Sequence, residues 1–230
     1  LHLLSRRQRQ MCIRDRFYDT CRESETEAFQ LINYLKEHTD ISVVWPYEEL
    51  MEAKADSGMW IYSKLDTHWG NPGAYIGAKA LAEELEVEMP ELSEVSAELS
   101  EISRGDLANM LNVSIPNGDR EYQLSGYEVE DGNQGESYME FHQNSGSSLK
   151  LAIRRDSFGA RLSKVLQHAF QDVYVAQGET DLIDVDADVF VYELVERSLE
   201  NPDLGLPYLS VLSNTVSYTH LRAHETRHDL

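Results

Sequence analysis

Apolar residues recur at helical spacing in some stretches of this chain and run together in others, and the two patterns alternate. Between Glu25 and Glu37, Ala28, Leu31, Ile32 and Leu35 fall on one side of a 3.6-residue repeat, which predicts an amphipathic helix. Ile41-Ser42-Val43-Val44-Trp45 then reads as a strand stopped by Pro46. A short helix is expected over Glu48 to Ala55, and another over Gly73 to Leu85 with Ile76, Ala80, Leu81 and Leu85 on one side. Leu149, Leu151, Ala152 and Ile153 make an apolar run of strand length, and Phe158 to Leu166 resumes helical spacing. Further strands are expected at Asp172 to Val175 and Val189 to Leu194. This succession predicts a three-layer α/β domain with a mainly parallel sheet.

Some stretches break the pattern. Glu83 to Glu101 is acidic and interrupted by Pro90, as expected of a solvated surface connection. Residues 112–148 are rich in Gly, Asn and Ser with short aromatic segments, which predicts a β-rich insertion. Ser5 to Arg16 is basic on an acidic protein, and Val216 to His228 has no amphipathic period. Both resemble translated sequencing-adapter segments. The domain is therefore expected over 17–215, with 1–16 and 216–230 as non-native ends and a true gene that extends beyond one or both. Excluding the ends removes Cys12 and the four-residue spacing of His220, His224 and His228, leaving Cys21 alone. No intramolecular disulfide and no metal site follow from that set, and no cofactor is expected.

Charge narrows the function. The 230 residues carry a formal net charge of −21, which argues against nucleic acid or an anionic membrane surface as partner, since both reward Lys and Arg. A polyanionic sugar is disfavoured unless the site carries its own cations. No apolar stretch reaches the length that spans a bilayer.

The candidate chemistry lies in two short segments. Asp156-Ser157-Phe158-Gly159 follows the Leu149–Ile153 run, so Ser157 is expected at a strand-to-helix turn, where the first N–H groups of the helix lack intrahelical partners and offer donors to an oxyanion. In Asp66-Thr67-His68-Trp69, His68 is a candidate base, since an imidazole can take and return a proton under ordinary conditions, and Asp66, two residues away, can share its face and orient it. The plain alternatives are that Asp66 and Ser157 merely cap helices. Trp69 is a packing residue or a platform for a sugar face. Arg197 pairs with Glu193 or Glu196, or meets an anionic substrate group near Ser157. His142 and His168 have no recognisable ligand spacing.

The run Lys64 to Tyr75, with Asp66-Thr67-His68-Trp69, Asn71-Pro72 and Gly73-Ala74, resembles a signature of the SGNH-like domain in the alginate O-acetyltransferase (AlgX/AlgJ) and DHHW group. Arg155-Asp156-Ser157-Phe158-Gly159 is similar to that group's nucleophile motif, and Asp188 to Arg197 to the following strand that ends in Glu-Arg. The motifs stand in the family's order over about residues 30 to 200. The resemblance implies an SGNH-like (flavodoxin-like) fold and an extracytoplasmic serine O-acetyltransferase or acetylesterase acting on an extracellular polysaccharide. Its catalytic residues would be Ser157, His68 and Asp66, with Trp69 and Arg197 toward substrate. The partners implied are a polysaccharide acceptor and a membrane-bound acyltransferase as acetyl donor. One departure is Arg155, which stands where the superfamily motif commonly has Gly and puts a bulkier side chain at the turn. The oxyanion donors have no assigned position; Gly105 and Asn109 are candidates. The competing expectation is a noncatalytic carbohydrate-binding or assembly component.

Overall fold

The computed structural model describes residues 26–102, 105–112, 119–127, 138–177 and 185–200. The chain divides into two compact units at Val43 and Val44. In the first, α1 (Glu27–His38) starts on Thr26, whose hydroxyl accepts the Phe29 N–H at 3.3 Å, and it buries Ala28 and Ile32. Every other element belongs to the second unit.

There, Pro46 precedes α2 (Tyr47–Asp56), and Pro72 sits in the first turn of α3 (Asn71–Glu84), where its missing N–H costs nothing. β1 (Ala97–Ile102), α4 (Asp106–Met110) and β2 (Asp119–Leu124) follow, β1 and β2 forming a separate antiparallel pair. The main sheet comprises β3 (Tyr138–His142), β4 (Ser147–Arg155), β5 (Phe170–Gln177) and β6 (Val189–Tyr192) in the order β3-β5-β4-β6. β4 runs parallel to both neighbours, with Ile153 opposite Val175 and Val191, while β3 is an antiparallel edge. α5 (Gly159–Leu166) leaves the end of β4.

One face of this sheet builds the larger core. Leu151, Ile153, Val173 and Val175 pack with Ala74, Tyr75 and Ala78 of α3 and Leu162, Val165 and Leu166 of α5. Over the other face lie Ala152 and Ala176 with Tyr174, Val185, Ala187 and Phe190; no helix among the described residues contributes to that cluster. The protein is thus a mixed α/β fold with a mostly parallel sheet, and its central strand delivers Ser157 at its carboxyl end. In parallel sheets that edge is where ligands bind.

The structure departs from the pattern in identifiable places. Ile41 to Trp45 joins no ladder among the described residues, and Ile41 is half exposed; its ends bond locally instead, the Ile41 N–H to Thr39 Oγ1 at 3.3 Å and the Trp45 carbonyl to the Tyr47 N–H at 2.8 Å. The 112–148 stretch is not one insertion: β2 pairs with β1, which rises from the acidic connection, whereas β3 joins the main sheet beside β5. Both ends assigned as non-native, 1–16 and 216–230, lie outside the described residues. No described helix is long and apolar enough to cross a membrane.

Candidate active site

The Ser157 turn is held by acids from below. Asp156 accepts the Phe158 N–H on Oδ1 at 2.7 Å and the Val195 N–H on Oδ2 at 2.9 Å, and its own N–H donates to Glu193 Oε2 at 3.1 Å. The Gly159 N–H also reaches the Glu193 carboxylate. Burial pushes Glu193 up to about 8, with the neighbouring charge of Asp156 acting in the same direction. Gly159 is required by this closeness: a Cβ there would stand 2.4 Å from Arg155 Cβ and 2.6 Å from Glu193 Oε2. Ser157 itself is exposed at the top of the turn.

Arg155 does not stand in the mouth of the site. It is buried beneath the turn, with Nη1 donating to the Asp156 carbonyl at 3.0 Å and Nε and Nη2 enclosed without a hydrogen bond. Burial lowers its pKa, against the opposing pull of Glu193 and Asp156. Strand alternation explains the placement: Arg155 shares the inward face of Ile153.

His68 is delivered by a tight return of the chain. Tyr62 and Trp69 form an antiparallel bridge, and the Gly70 N–H donates to the Ile61 carbonyl at 2.7 Å. Asp66 Oδ1 lies 2.7 Å from His68 Nδ1 and also accepts the His68 backbone N–H at 2.9 Å. On the other side of the ring, Nε2 is 2.8 Å from Ser157 Oγ. Burial alone would raise the Asp66 pKa, but the hydrogen bonds and charge of His68, with the charge of Arg161, outweigh it and hold Asp66 at about 2.

A second carboxylate, absent from the sequence expectations, sits behind this pair. Asp106 accepts the Thr67 N–H on Oδ1 at 2.7 Å and the Thr67 hydroxyl on Oδ2, which lies 3.7 Å from His68 Nδ1. The Leu107 N–H donates to the Leu65 carbonyl at 3.0 Å. The approach demands glycine at 105, where a Cβ would meet Leu65 O at 2.1 Å. Gly105 is thus a close-packing residue against the His68 loop, and Asn109 is exposed with its N–H on the Gly105 carbonyl. Asp66, His68 and Asp106 bring atoms of metal-ligand type within 4.8 Å of one another, and each of these groups already serves the hydrogen bonds just described.

Trp69 is 8% exposed, packed on Gly73 and Gly77 and donating Nε1–H to the Phe158 carbonyl at 2.9 Å. It ties the His68 loop to the Ser157 turn, and burial leaves it little face for a sugar. Arg197 is exposed, its guanidinium 4.8 Å from the centroid of the Phe158 ring, which in turn lies 4.8 Å from the His68 ring. Neither Glu193 nor Glu196 pairs with Arg197 among the described residues. The helix-start donors are largely spent: Phe158 N–H on Asp156, Gly159 N–H on Glu193, and Ala160 N–H on the Ser157 carbonyl at 3.4 Å. The Ser157 N–H has no bond among the described residues.

Further supports escaped the sequence reading. Arg161 donates to the Trp69 carbonyl and to Glu121 Oε2 at 3.2 Å, and buried Glu121 accepts the Asn71 N–H at 3.1 Å. Asn71 Nδ2 donates to the Tyr122 carbonyl at 3.0 Å. β2 therefore braces the start of α3 and the His68 loop. The signal for Asn71 is present in Asn71-Pro72, but its partner is 50 residues away. His142 sits between Asp172 and Glu140 on the surface, and His168 meets the edge of Tyr127.

No family model and no curated protein matches the sequence. Among solved structures, the chain is similar to a DHHW family protein from Eubacterium siraeum at 17% identity and a TM-score of 0.63, covering 84% of this chain and 78% of that one. It is similar to Bacillus cereus PatB1 at 11% identity and a TM-score of 0.53, covering 75% of each chain, and to the same protein with a sulfonyl adduct. The O-acetyltransferase domain of Pseudomonas putida AlgJ aligns at 16% identity and a TM-score of 0.46, over 84% of this chain and 74% of that one. At these identities the likeness of the DHHW protein and PatB1 establishes one thing, a shared α/β fold.

Proposed function

We propose that this protein is a serine-dependent O-acetyltransferase or acetylesterase of the SGNH type that acts on an extracellular polysaccharide. The observation that carries the reading is the continuous line Ser157 Oγ, His68 Nε2, His68 Nδ1, Asp66 Oδ1, with separations of 2.8 and 2.7 Å. With the Nδ1 proton directed at Asp66, the Nε2 lone pair faces the Ser157 hydroxyl. Ser157 Oγ attacks the acetyl carbonyl while its proton passes to Nε2. The bond to the leaving oxygen breaks, and His68 returns the proton to that oxygen, leaving acetyl-Ser157. A sugar hydroxyl or water then gives its proton to Nε2, attacks the acetyl carbon and frees Ser157. A sugar acceptor makes the reaction transfer; water makes it hydrolysis.

Asp66, ionised through the neutral range, faces the imidazolium that forms in each half-reaction. The Ser157 N–H is the oxyanion donor this reading uses. Trp69 acts by holding the Phe158 carbonyl, and Arg197, exposed against the Phe158 ring beside His68, offers its guanidinium N–H groups to substrate oxygens. The acetyl choice rests on the motif resemblance, as do the extracytoplasmic location and a membrane-bound acyltransferase as donor. A three-layer form belongs to the same proposal and requires helices over the Ala152–Ala176 face. The noncatalytic alternative drew on a bulky Arg155 at the turn, and that side chain is buried under it.

The test is acetyl-Ser157 itself. Incubation with an activated acetyl ester should give an acetylated Ser157 peptide by mass spectrometry, and an arylsulfonyl fluoride should block it. Ser157→Ala, shown folded by circular dichroism, should lose both the adduct and ester turnover. Turnover by that variant at the parent rate would overturn the serine mechanism.

A further inference from the structure

With Trp69 buried, exposed aromatic surface is found on the segment bridged to it. Trp69 bridges Tyr62, and exposure alternates around that residue: Ile61 and Ser63 are buried, whereas Trp60 and Tyr62 are 40% and 46% exposed and Lys64 is exposed. That alternation of exposure turns Trp60, Tyr62 and Lys64 to solvent, with Lys64 at the turn that leads to Asp66. The Trp60 ring is set at its tilt by an edge contact with Tyr122, centroids 6.1 Å apart at 69°. Lys64 Nζ lies 5.3 Å from the Trp60 ring centroid. The stripe is hydrogen-bonded to the chain that carries His68, through Gly70 and Ile61, and Lys64 stands two residues before Asp66.

We propose that Trp60, Tyr62 and Lys64 form an acceptor subsite for a neutral hexose chain, leading to the Ser157–His68 pair; as an acceptor site this rests on the acyl-transfer reading. Sugar rings present apolar C–H faces bordered by hydroxyl groups. Exposed indole and phenol rings match such a surface, with an apolar face and a polar edge. Trp60 and Tyr62 lie on one exposed segment two residues apart, so a chain of sugars, unlike a single ring, can meet both. Lys64 adds a donor for hydroxyl oxygens at the end nearer His68. The chemistry favours neutrality: the stripe itself holds one cation, whereas the chain carries −21, so a polyuronate would be repelled at every further repeat.

The experiment is isothermal titration calorimetry on the full chain with cellohexaose, maltohexaose and a hexameric oligouronate, alongside Trp60→Ala, Trp60→Phe and Tyr62→Ala. At least one neutral hexamer should bind saturably, Trp60→Ala and Tyr62→Ala should each weaken it about tenfold, and Trp60→Phe should retain most of the affinity. The oligouronate should bind more weakly, most clearly at low salt. Failure of both neutral hexamers to bind at millimolar concentration, an affinity of Trp60→Ala within about twofold of the parent, or tighter binding of the oligouronate would each overturn the assignment. The same titration on Ser157→Ala separates the two readings. Intact glycan binding with no acetyl-Ser157 in the parent removes the acyl-transfer reading and with it the acceptor role; acetyl-Ser157 without glycan binding removes this subsite alone.

Discussion

Asp66→Asn removes the carboxylate 2.7 Å from His68 Nδ1, yet it leaves another behind: Asp106 Oδ2, 3.7 Å from the same nitrogen. At an effective dielectric constant of about 20, a unit charge steadies an imidazolium by about 6 kcal/mol at the first distance and between about 4 and 5 kcal/mol at the second. Asp106 thus retains most of the field and is close enough to take over the Nδ1 proton after a small ring movement. The single substitution should therefore lower kcat/KM for an activated acetyl ester only about tenfold, the difference of about 1.5 kcal/mol between the two positions. Asp106→Asn keeps an oxygen for the Thr67 N–H and should cost a few-fold. With both acids gone, nothing orients His68 or faces its charge, and the loss should reach about three orders of magnitude or more, as expected when the orienting acid of a triad is removed. The four proteins form a double-mutant cycle with a coupling of at least about 1 kcal/mol. The assay is ester turnover at one pH with folding checked by thermal melts. A double variant whose loss equals the product of the single losses would refute the takeover, as would a full thousandfold loss in Asp66→Asn alone.

Three other outcomes follow from the supports of the site. Glu193, pushed up to about 8 by burial and Asp156, is protonated in the folded protein and ionises freely once unfolded. Its contribution to stability should thus weaken as pH rises from about 4.5 through 8, by up to a few kcal/mol, and Glu193→Gln should flatten that decline in denaturant titrations run across the range. Gly105→Ala would drive a Cβ into the Leu65 carbonyl at 2.1 Å. It should destabilise by about 1–3 kcal/mol in chemical unfolding and disturb the His68 loop. Trp69→Phe removes the donor to the Phe158 carbonyl inside the core and should cost about 1–3 kcal/mol, with kcat falling more than KM rises if the Ser157 turn loosens.

Much of this architecture is written locally. The helical spacing of Ala28 to Leu35 and of Phe158 to Leu166, the apolar run into Ser157, and the strands near 172 and 189 all appear where periodicity puts them, because burial of one face is a short-range property of the sequence. Asp66 and His68 are two residues apart, so their contact too was within local reach. What periodicity cannot carry is the choice of distant partners. Asp106 reaches Thr67 across 39 positions, Glu121 reaches Arg161 across 40, and Ser157 reaches His68 across 89. The same limit sent β3 to the main sheet when its composition read as insertion, left Ile41 to Trp45 outside every ladder among the described residues, and turned Arg155 inward beneath the turn it was expected to crowd. A strand's composition states that it can pair, and a side chain's type states what it can bond. Which of several chemically equivalent partners each one meets is decided when the whole chain packs, since only then is water removed and every buried donor and acceptor made to find its match.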